Sequence, residues 1–298
     1  MGGRRHRGRD PLLIPFPLPT SGGVVAAAAP GRGPGFWAGA SSATVDADGT
    51  FVVAFRVRRP EQRGGEIVVA RSAYGERLTP LAQLDKERFG AESLERPALV
   101  RAGDGRWRLY VSCATPGTKH WRIDLVEATR PEELDAAKSI TVFPGDSQTG
   151  VKDPVIRYVD GKWNAWICCH PLDVRGEEDR MRTAYATSTD GVAWSWHGTV
   201  LTGRPGTWDA RGARVTAVLA DGRAAYDGRA TKEENFSERT GLARRGSGRD
   251  QLVATNEEPV SSARYLDVLE LPNGEFRIWY ESPLPDGSHE LRTELVTT

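Results

Sequence analysis

Cysteine is scarce: the 298 residues hold three, Cys113, Cys168 and Cys169. Two of these are neighbours, and adjacent strand residues point to opposite faces, so the set cannot form a disulfide framework. All three are expected as reduced core residues. Histidine is nearly as sparse, and His120, His170, His197 and His289 show no paired spacing for zinc. Asp46 and Asp48 lack the further ligands of a calcium loop and read as hairpin residues. No metal or other cofactor is expected. No run approaches the roughly 20 apolar residues of a membrane-spanning helix. The formal net charge is zero, with 40 basic and 40 acidic residues interspersed. Without a basic stripe, neither a nucleic-acid nor a membrane partner is expected. The start of the chain places a basic cluster before an apolar patch, as a secretion signal would. Pro11, Pro15, Pro17 and Pro19 interrupt that patch, so the expectation is a cytoplasmic protein.

What the chain has in quantity is 33 glycines, 19 prolines and nine tryptophans, the composition of a turn-rich globular protein. Five turns of one kind recur: DADGT (Gly49), AGDGR (Gly105), YVDGK (Gly161), LADGR (Gly222) and LPNGE (Gly274), spaced by 56, 56, 61 and 52 residues. Asp-Gly and Asn-Gly between apolar runs are the strongest short hairpin signal, since both central residues of the favoured turn need positive φ. Each turn is followed by a short aromatic or β-branched run: FVVAFRVRR, WRLYVSCAT, WNAWICCHP, RAAYDGRA and FRIWYESPL. A third element follows in every copy. In four copies it leads to a short outer run such as Ile140 to Phe143 or Gly198 to Gly203.

Four strands per 50 to 60 residues is the signature of a propeller blade, and five copies predict an all-β, five-bladed β-propeller. The spacing predicts an N-terminal extension over residues 1–36 and a propeller domain over 37–298. The fifth copy lacks its outer strand. Leu12 to Pro17 is the candidate to supply it, closing the ring and covering an edge. A β-sandwich would not repeat these elements in fixed order.

Residues just before each first strand converge on one mouth of such a ring. They read FWAGASS, LERPA, VKDPV, WDARGARV and SARYLDV. Glu95, Asp153 and Asp209 are then carboxylates from three consecutive blades, with Asp267 a fourth. Arg96, Lys152, Arg211, Arg214 and Arg264 stand beside them, and Trp37, Trp208 and Tyr265 offer flat walls. Paired carboxylates across a cleft with aromatic walls are what glycosidic bond cleavage uses. A neighbouring arginine lowers a carboxyl pKa, so the proton donor should be the acid farthest from arginine. The structural alternative stands beside this: Glu95 with Arg96, Lys152 with Asp153 and Asp209 with Arg211 are ready-made ion pairs. His170, at a strand end, is near the same mouth, and Gly228 to Gly241 is a polar insertion able to flap over it.

The KDPVI…DGKW start of the third copy and its ATSTDGVAWSW turn resemble the five-bladed propeller glycosidase superfamily: arabinanases and β-xylosidases of family 43, invertases and levansucrases, and mannoside phosphorylases. The resemblance runs from about Trp37 to the C-terminus. In the arabinanase type it implies acids opening blades one, three and four. Asp153 matches the third, Asp209 lies near the fourth, and blade one has no carboxylate between Phe36 and Thr44. The VVAFRVRR run is similar to the phosphorylase branch, which implies phosphate held by Arg56, Arg96, Arg211 and Arg214. Arg96, Arg214 and Arg264 with Tyr265 also resemble the arginine clamp and tyrosine of sialidases. The resemblance implies a glycosidase or glycoside phosphorylase acting on a carbohydrate or sugar-like molecule, anionic ones and phosphate included. The rival is a non-hydrolytic, sugar-binding propeller that lacks the blade-one aspartate.

Overall fold

A computed structural model describes residues 15–248 and 250–297. Among them are twenty β-strands, and the helical segments are short 3-10 turns. The strands form five antiparallel four-stranded units. The first is β2 (Trp37–Val45), β3 (Phe51–Arg59), β4 (Gln62–Ser72) and β5 (Thr79–Asp85); the second is β6 (Leu94–Arg101), β7 (Trp107–Ala114), β8 (Trp121–Ala128) and β9 (Ile140–Phe143). The third is β10 (Thr149–Val159), β11 (Lys162–Pro171), β12 (Arg182–Ser188) and β13 (Ser195–Thr202); the fourth is β14 (Gly212–Val218), β15 (Ala224–Arg229), β16 (Arg239–Arg245) and β17 (Leu252–Ala254). In the fifth, β18 (Arg264–Glu270), β19 (Phe276–Pro283) and β20 (His289–Val296) are completed by β1 (Val24–Ala27), which pairs antiparallel with β20. A parallel pairing of Trp37 with His289 joins the first and fifth units into one eight-stranded sheet.

The outer strand of the fifth unit is thus supplied by the N-terminal segment, but by Val24–Ala27 and not by the expected Leu12 to Pro17. Residues 12–14 of that stretch lie outside the described residues. Pro15 to Pro17 are not strand, as alternate prolines cannot donate to a ladder. Phe16 instead turns its ring into the core beside Leu219, Ala263 and Leu266.

Each repeated turn joins the first and second strands of a unit, and every turn glycine has positive φ, from 77° at Gly161 to 85° at Gly222. Only at Asp160 and Gly161 are both central residues positive. Elsewhere the turn is longer. Gly49 N–H donates to Asp46 O (3.0 Å) and Asp46 N–H to Thr50 O (2.8 Å), with only glycine left-handed.

Five apolar clusters hold the units together, each shared by two neighbours. Val52, Ile67 and Val69 of the first unit meet Leu99, Leu109 and Val126 of the second. The series returns to its start where Trp279 and Leu291 of the fifth unit meet Phe51 and Val53 of the first. The first strands likewise pack in cyclic order, β2 on β6, β10, β14 and β18, and β18 back on β2. Every first strand carries a bulge, at Gly39/Ser42, Leu94/Pro97, Lys152/Val155, Val215/Ala217 and Arg264/Asp267. A bulge re-aims side chains. At three of the five it places a non-glycine residue at positive φ: Ala40 (53°), Asp153 (49°) and Tyr265 (49°).

Candidate functional site

The bulges direct side chains to a hollow of about 200 Å³ at one end of the cyclic array, lined among others by Glu95, Trp121, Lys152, His170, Arg214 and Tyr265. Its floor is a buried ionic network. Arg56 bonds Glu95 and reaches Glu281 at 2.9 Å. Arg264 joins Glu281 (2.5 Å) to Glu238 (2.8 Å), and Arg229 holds the other oxygen of Glu238 (2.5 Å). Arg214 bridges Asp153 (2.8 Å) and Asp227 (2.6 Å). The guanidinium carbons of Arg214, Arg264 and Arg56 lie 3.9, 5.3 and 5.6 Å from the centre of the Tyr265 ring. Its hydroxyl accepts from Arg214 Nη1 at 2.8 Å and stands 3.5 Å from Asp153.

Burial and the neighbouring charges pull on these acids in opposite directions. Burial raises the pKa of Asp153, but Lys152 (3.6 Å) and Arg214 outweigh it and hold the carboxyl well below its usual range. Glu95 is likewise pushed up by burial and brought down further by Arg56 and Lys152. In Glu238 and Glu281 burial is overcome by the arginines, and both are pulled down to about 2. Asp227 goes the other way, raised by burial with Glu238 adding like charge, but it sits beneath Arg214 and the Tyr265 amide. Burial, with Lys152 adding to it, pushes His170 down to about 3, so its ring is neutral. His170 Nδ1–H donates to Glu178 O at 2.7 Å, leaving Nε2 a buried acceptor without a partner. The floor can therefore offer ionised carboxylates as bases or nucleophiles and a neutral imidazole acceptor. It holds no carboxyl poised as proton donor at the hollow surface.

Of the residues expected at the mouth, Glu95, Arg56, Lys152, Arg214, Arg264 and Tyr265 line the hollow, and Asp153 lies directly beneath through Lys152 and Arg214. Lys152 also rests over the Trp121 ring, 4.8 Å from its centre. Asp209 does not belong. It is fully buried against Arg204 Nε (3.0 Å) and the Tyr226 hydroxyl (2.6 Å). The reason is the turn before β14, where Gly212 N–H bonds Asp209 O, together with Gly228, whose missing side chain leaves room for Asp209 and Trp208. Trp208 goes with it, stacked on Tyr226 at 5.8 Å.

Arg96 and Asp267 serve the opposite end. Arg96 crosses between first strands, donating to Ser41 O and Thr216 O, and with Asp267 lines a second hollow of about 250 Å³. Asp267, raised to about 6 by burial, stands 3.7 Å from Arg96. Arg96 is the residue after Glu95 within its bulge and Asp267 closes its own, so both come after the bulge residue that lines the first hollow. Arg211 ties Asp179 and Glu177 at the rim. Trp37 is no open wall, because it is stacked on His289 (4.8 Å) and covered by Phe236 of the Gly228 to Gly241 insertion (4.9 Å).

Sequence reasoning missed Asp227, Glu238 and Glu281. A signal existed for two of them: the seventh residue past four turn glycines is Arg56, Ser112, Cys168 or Glu281, and Asp227 holds the matching register in the shortened fourth hairpin. The absent acid of the first unit also finds its account here. A side chain at Gly39 would collide with the Glu281 carboxylate, so the fifth unit supplies the negative charge that the first lacks.

No protein-family model matches the chain, and no curated protein resembles it in sequence. Solved structures do. An α-L-arabinofuranosidase from Lactobacillus brevis superposes with a TM-score of 0.66 at 15% identity, over 92% of this chain and 91% of that one. The chain shares the fold of that structure. A β-1,2-mannobiose phosphorylase from Listeria innocua gives 0.61 at 14% identity, covering 95% and 93%. A sucrose-6-phosphate hydrolase from Lactobacillus gasseri gives 0.65 at 10% identity, covering 91% of this chain and 60% of that one. Among the described residues, no helix is long and apolar enough to cross a membrane.

Proposed function

We propose that residues 37–298 form a five-bladed propeller, with residues 1–36 an extension that completes the fifth blade, and that its hollow takes a carbohydrate or sugar-like molecule as a glycosidase or glycoside phosphorylase. Such proteins are the solved structures that share its fold. A cytoplasmic place is part of the same reading, in keeping with three free, buried cysteines. The observation that carries the activity is a pair of ionised carboxylates, Glu95 and Asp153, from adjacent units at the floor of a hollow walled by Trp121 and Tyr265. An ionised carboxylate can act as base or nucleophile, aromatic faces suit a sugar ring, and His170 Nε2 suits a hydroxyl. Because no hollow-facing carboxyl is protonated, the leaving oxygen must take its proton from water, from the substrate or from phosphate. Turnover should therefore favour activated aryl glycosides over alkyl ones.

The test is a panel of aryl glycosides with and without phosphate, run with wild type and Glu95→Gln. Loss of at least about four orders of magnitude in Glu95→Gln, with the variant still folded, supports catalysis. Phosphate dependence would assign phosphorolysis. The second reading is a non-hydrolytic sugar binder. It is favoured by the capture of Glu95, Asp153, Glu238 and Glu281 in arginine pairs. Sugar binding without turnover on any member of the panel would decide for it.

A further inference from the structure

Arg58 is the cation that the network leaves over. Within the floor, Arg56, Lys152, Arg214, Arg229 and Arg264 are matched by Glu95, Asp153, Asp227, Glu238 and Glu281, five charges against five. Arg58 lies two residues beyond Arg56 on the same face of β3, and no described carboxylate is within ion-pair distance of it. Its guanidinium packs instead against the Trp37–Phe236 pair, 4.3 Å from the centre of the Trp37 ring and 5.3 Å from that of Phe236, the two ring centres being 4.9 Å apart. Cation–π contact with these rings attracts the charge but satisfies none of its N–H donors. Nε and Nη1 are buried and have no hydrogen-bond partner. Leaving each such donor unmet costs on the order of 1–3 kcal/mol, and Arg58 alone among the described arginines leaves two of them buried and unmet. Burial opposes its charge first; the more distant Glu95 and Glu281 favour it while Arg56 and Arg63 oppose it, and Arg63, exposed at the edge of the hollow, has no ion-pair partner among the described residues.

The cover over Arg58 is itself unsettled. Phe236 holds φ at 78°, a conformation that costs a residue other than glycine about 1–3 kcal/mol, and its side chain is 40% exposed despite lying on Trp37. The segment bearing it touches the loop of the third unit through Lys232 Nζ on Gly176 O at 2.6 Å. A strained aromatic cap over an unsatisfied guanidinium can be displaced by any group that supplies the missing acceptors.

We propose that Arg58 is the recognition residue for an oxyanion, carboxylate or phosphate, carried by or accompanying the sugar ligand, with Arg63 as its second cation and Phe236 as the cover that yields to it. This rests on the reading of the hollow as a sugar site, and it names the class of ligand. A planar fork of donors suits oxyanions better than any other ligand chemistry.

The test is calorimetric titration at constant ionic strength with inorganic phosphate, glucuronate and glucose. Wild type is expected to bind phosphate, glucuronate or both, and glucose at least tenfold more weakly. Phosphate alone would mark a phosphate-bearing ligand or co-substrate, and glucuronate alone a uronic acid. Arg58→Gln should lower anion affinity at least tenfold. Arg63→Gln, at an exposed position that tolerates substitution, should lower it a few-fold. Phe236→Gly, which relieves the positive φ and removes the cover, should keep the affinity and speed association. Anion affinity unchanged in both arginine variants, or wild type binding none of the anions, overturns the proposal. Anion binding without turnover on any glycoside would leave this inference standing and remove only the enzymatic reading.

Discussion

Replacing Glu281 by Gln removes one charge from the middle of the ionic floor while keeping the side chain's shape. The carboxylate is fully buried and shared by Arg56, Arg264 and His289 at 2.9, 2.5 and 2.7 Å. Removing one partner from a buried ion pair costs about 3–5 kcal/mol, because the remaining charge stays out of water. The titration of the group supplies an independent value. A carboxyl drawn from 4.5 to about 2 in the fold contributes on the order of 3 kcal/mol at neutral pH. Since the folded-state pKa is the lower one, this contribution is complete above about pH 4.5 and is lost as pH falls toward 2. Urea unfolding of wild type and Glu281→Gln should therefore differ by about 3–5 kcal/mol at pH 7. At pH 3.5 the gap should be roughly 1–1.5 kcal/mol smaller. For a chain of 298 residues, about 2.1 cal/mol/K per residue converts the neutral-pH loss to a drop of roughly 5–8 °C in Tm. Coincident unfolding curves at pH 7, or a gap of the same size at both pH values, would refute the claim that ionised Glu281 stabilises the floor.

Three further perturbations probe other parts of the molecule. Phe16→Ala should cost about 3–5 kcal/mol in a urea melt, since its ring is buried between the fourth and fifth units; an unchanged melt would show that the N-terminal segment is not part of the core. Asp267 is raised to about 6 by burial, so the fold binds its proton more tightly than the unfolded chain and the site loses stability as pH rises from about 4 to 6. Asp267→Asn should be about 2 kcal/mol more stable than wild type at pH 7 and equal to it at pH 4, by denaturant titration. Gly39→Ala should destabilise by about 1–3 kcal/mol by crowding Glu281. Shortening the acid in Gly39→Ala/Glu281→Asp should recover part of that loss.

Local chemistry was the readable part of the sequence. The Asp-Gly and Asn-Gly turns locate all five first hairpins, because a left-handed glycine after Asp or Asn is decided by a few neighbouring residues. Leu12 to Pro17 misled for the converse reason: its apolar content suggested a strand, while its prolines suited Phe16 to plug a seam and left pairing to Val24–Ala27. Among the site residues, Glu95, Asp153 and Tyr265 were legible because all three occupy the bulge of a first strand. Asp209 precedes its strand within a turn that folds inward, while Arg96, second in its bulge after Glu95, and Asp267, at the close of its own, line the hollow at the far end. Glu281 and Asp227 lie on second strands. Counting from the turn glycine places Glu281, and strand register adds Asp227 in the shortened fourth hairpin.

The most direct test of the account is a crystal structure with a monosaccharide and phosphate diffused in. The account predicts the sugar ring over Tyr265 or Trp121, within hydrogen-bond distance of Lys152 and of Glu95 or His170 Nε2. A sugar bound instead beside Arg96 and Asp267 at the opposite end, with the hollow above Tyr265 unoccupied, would contradict it.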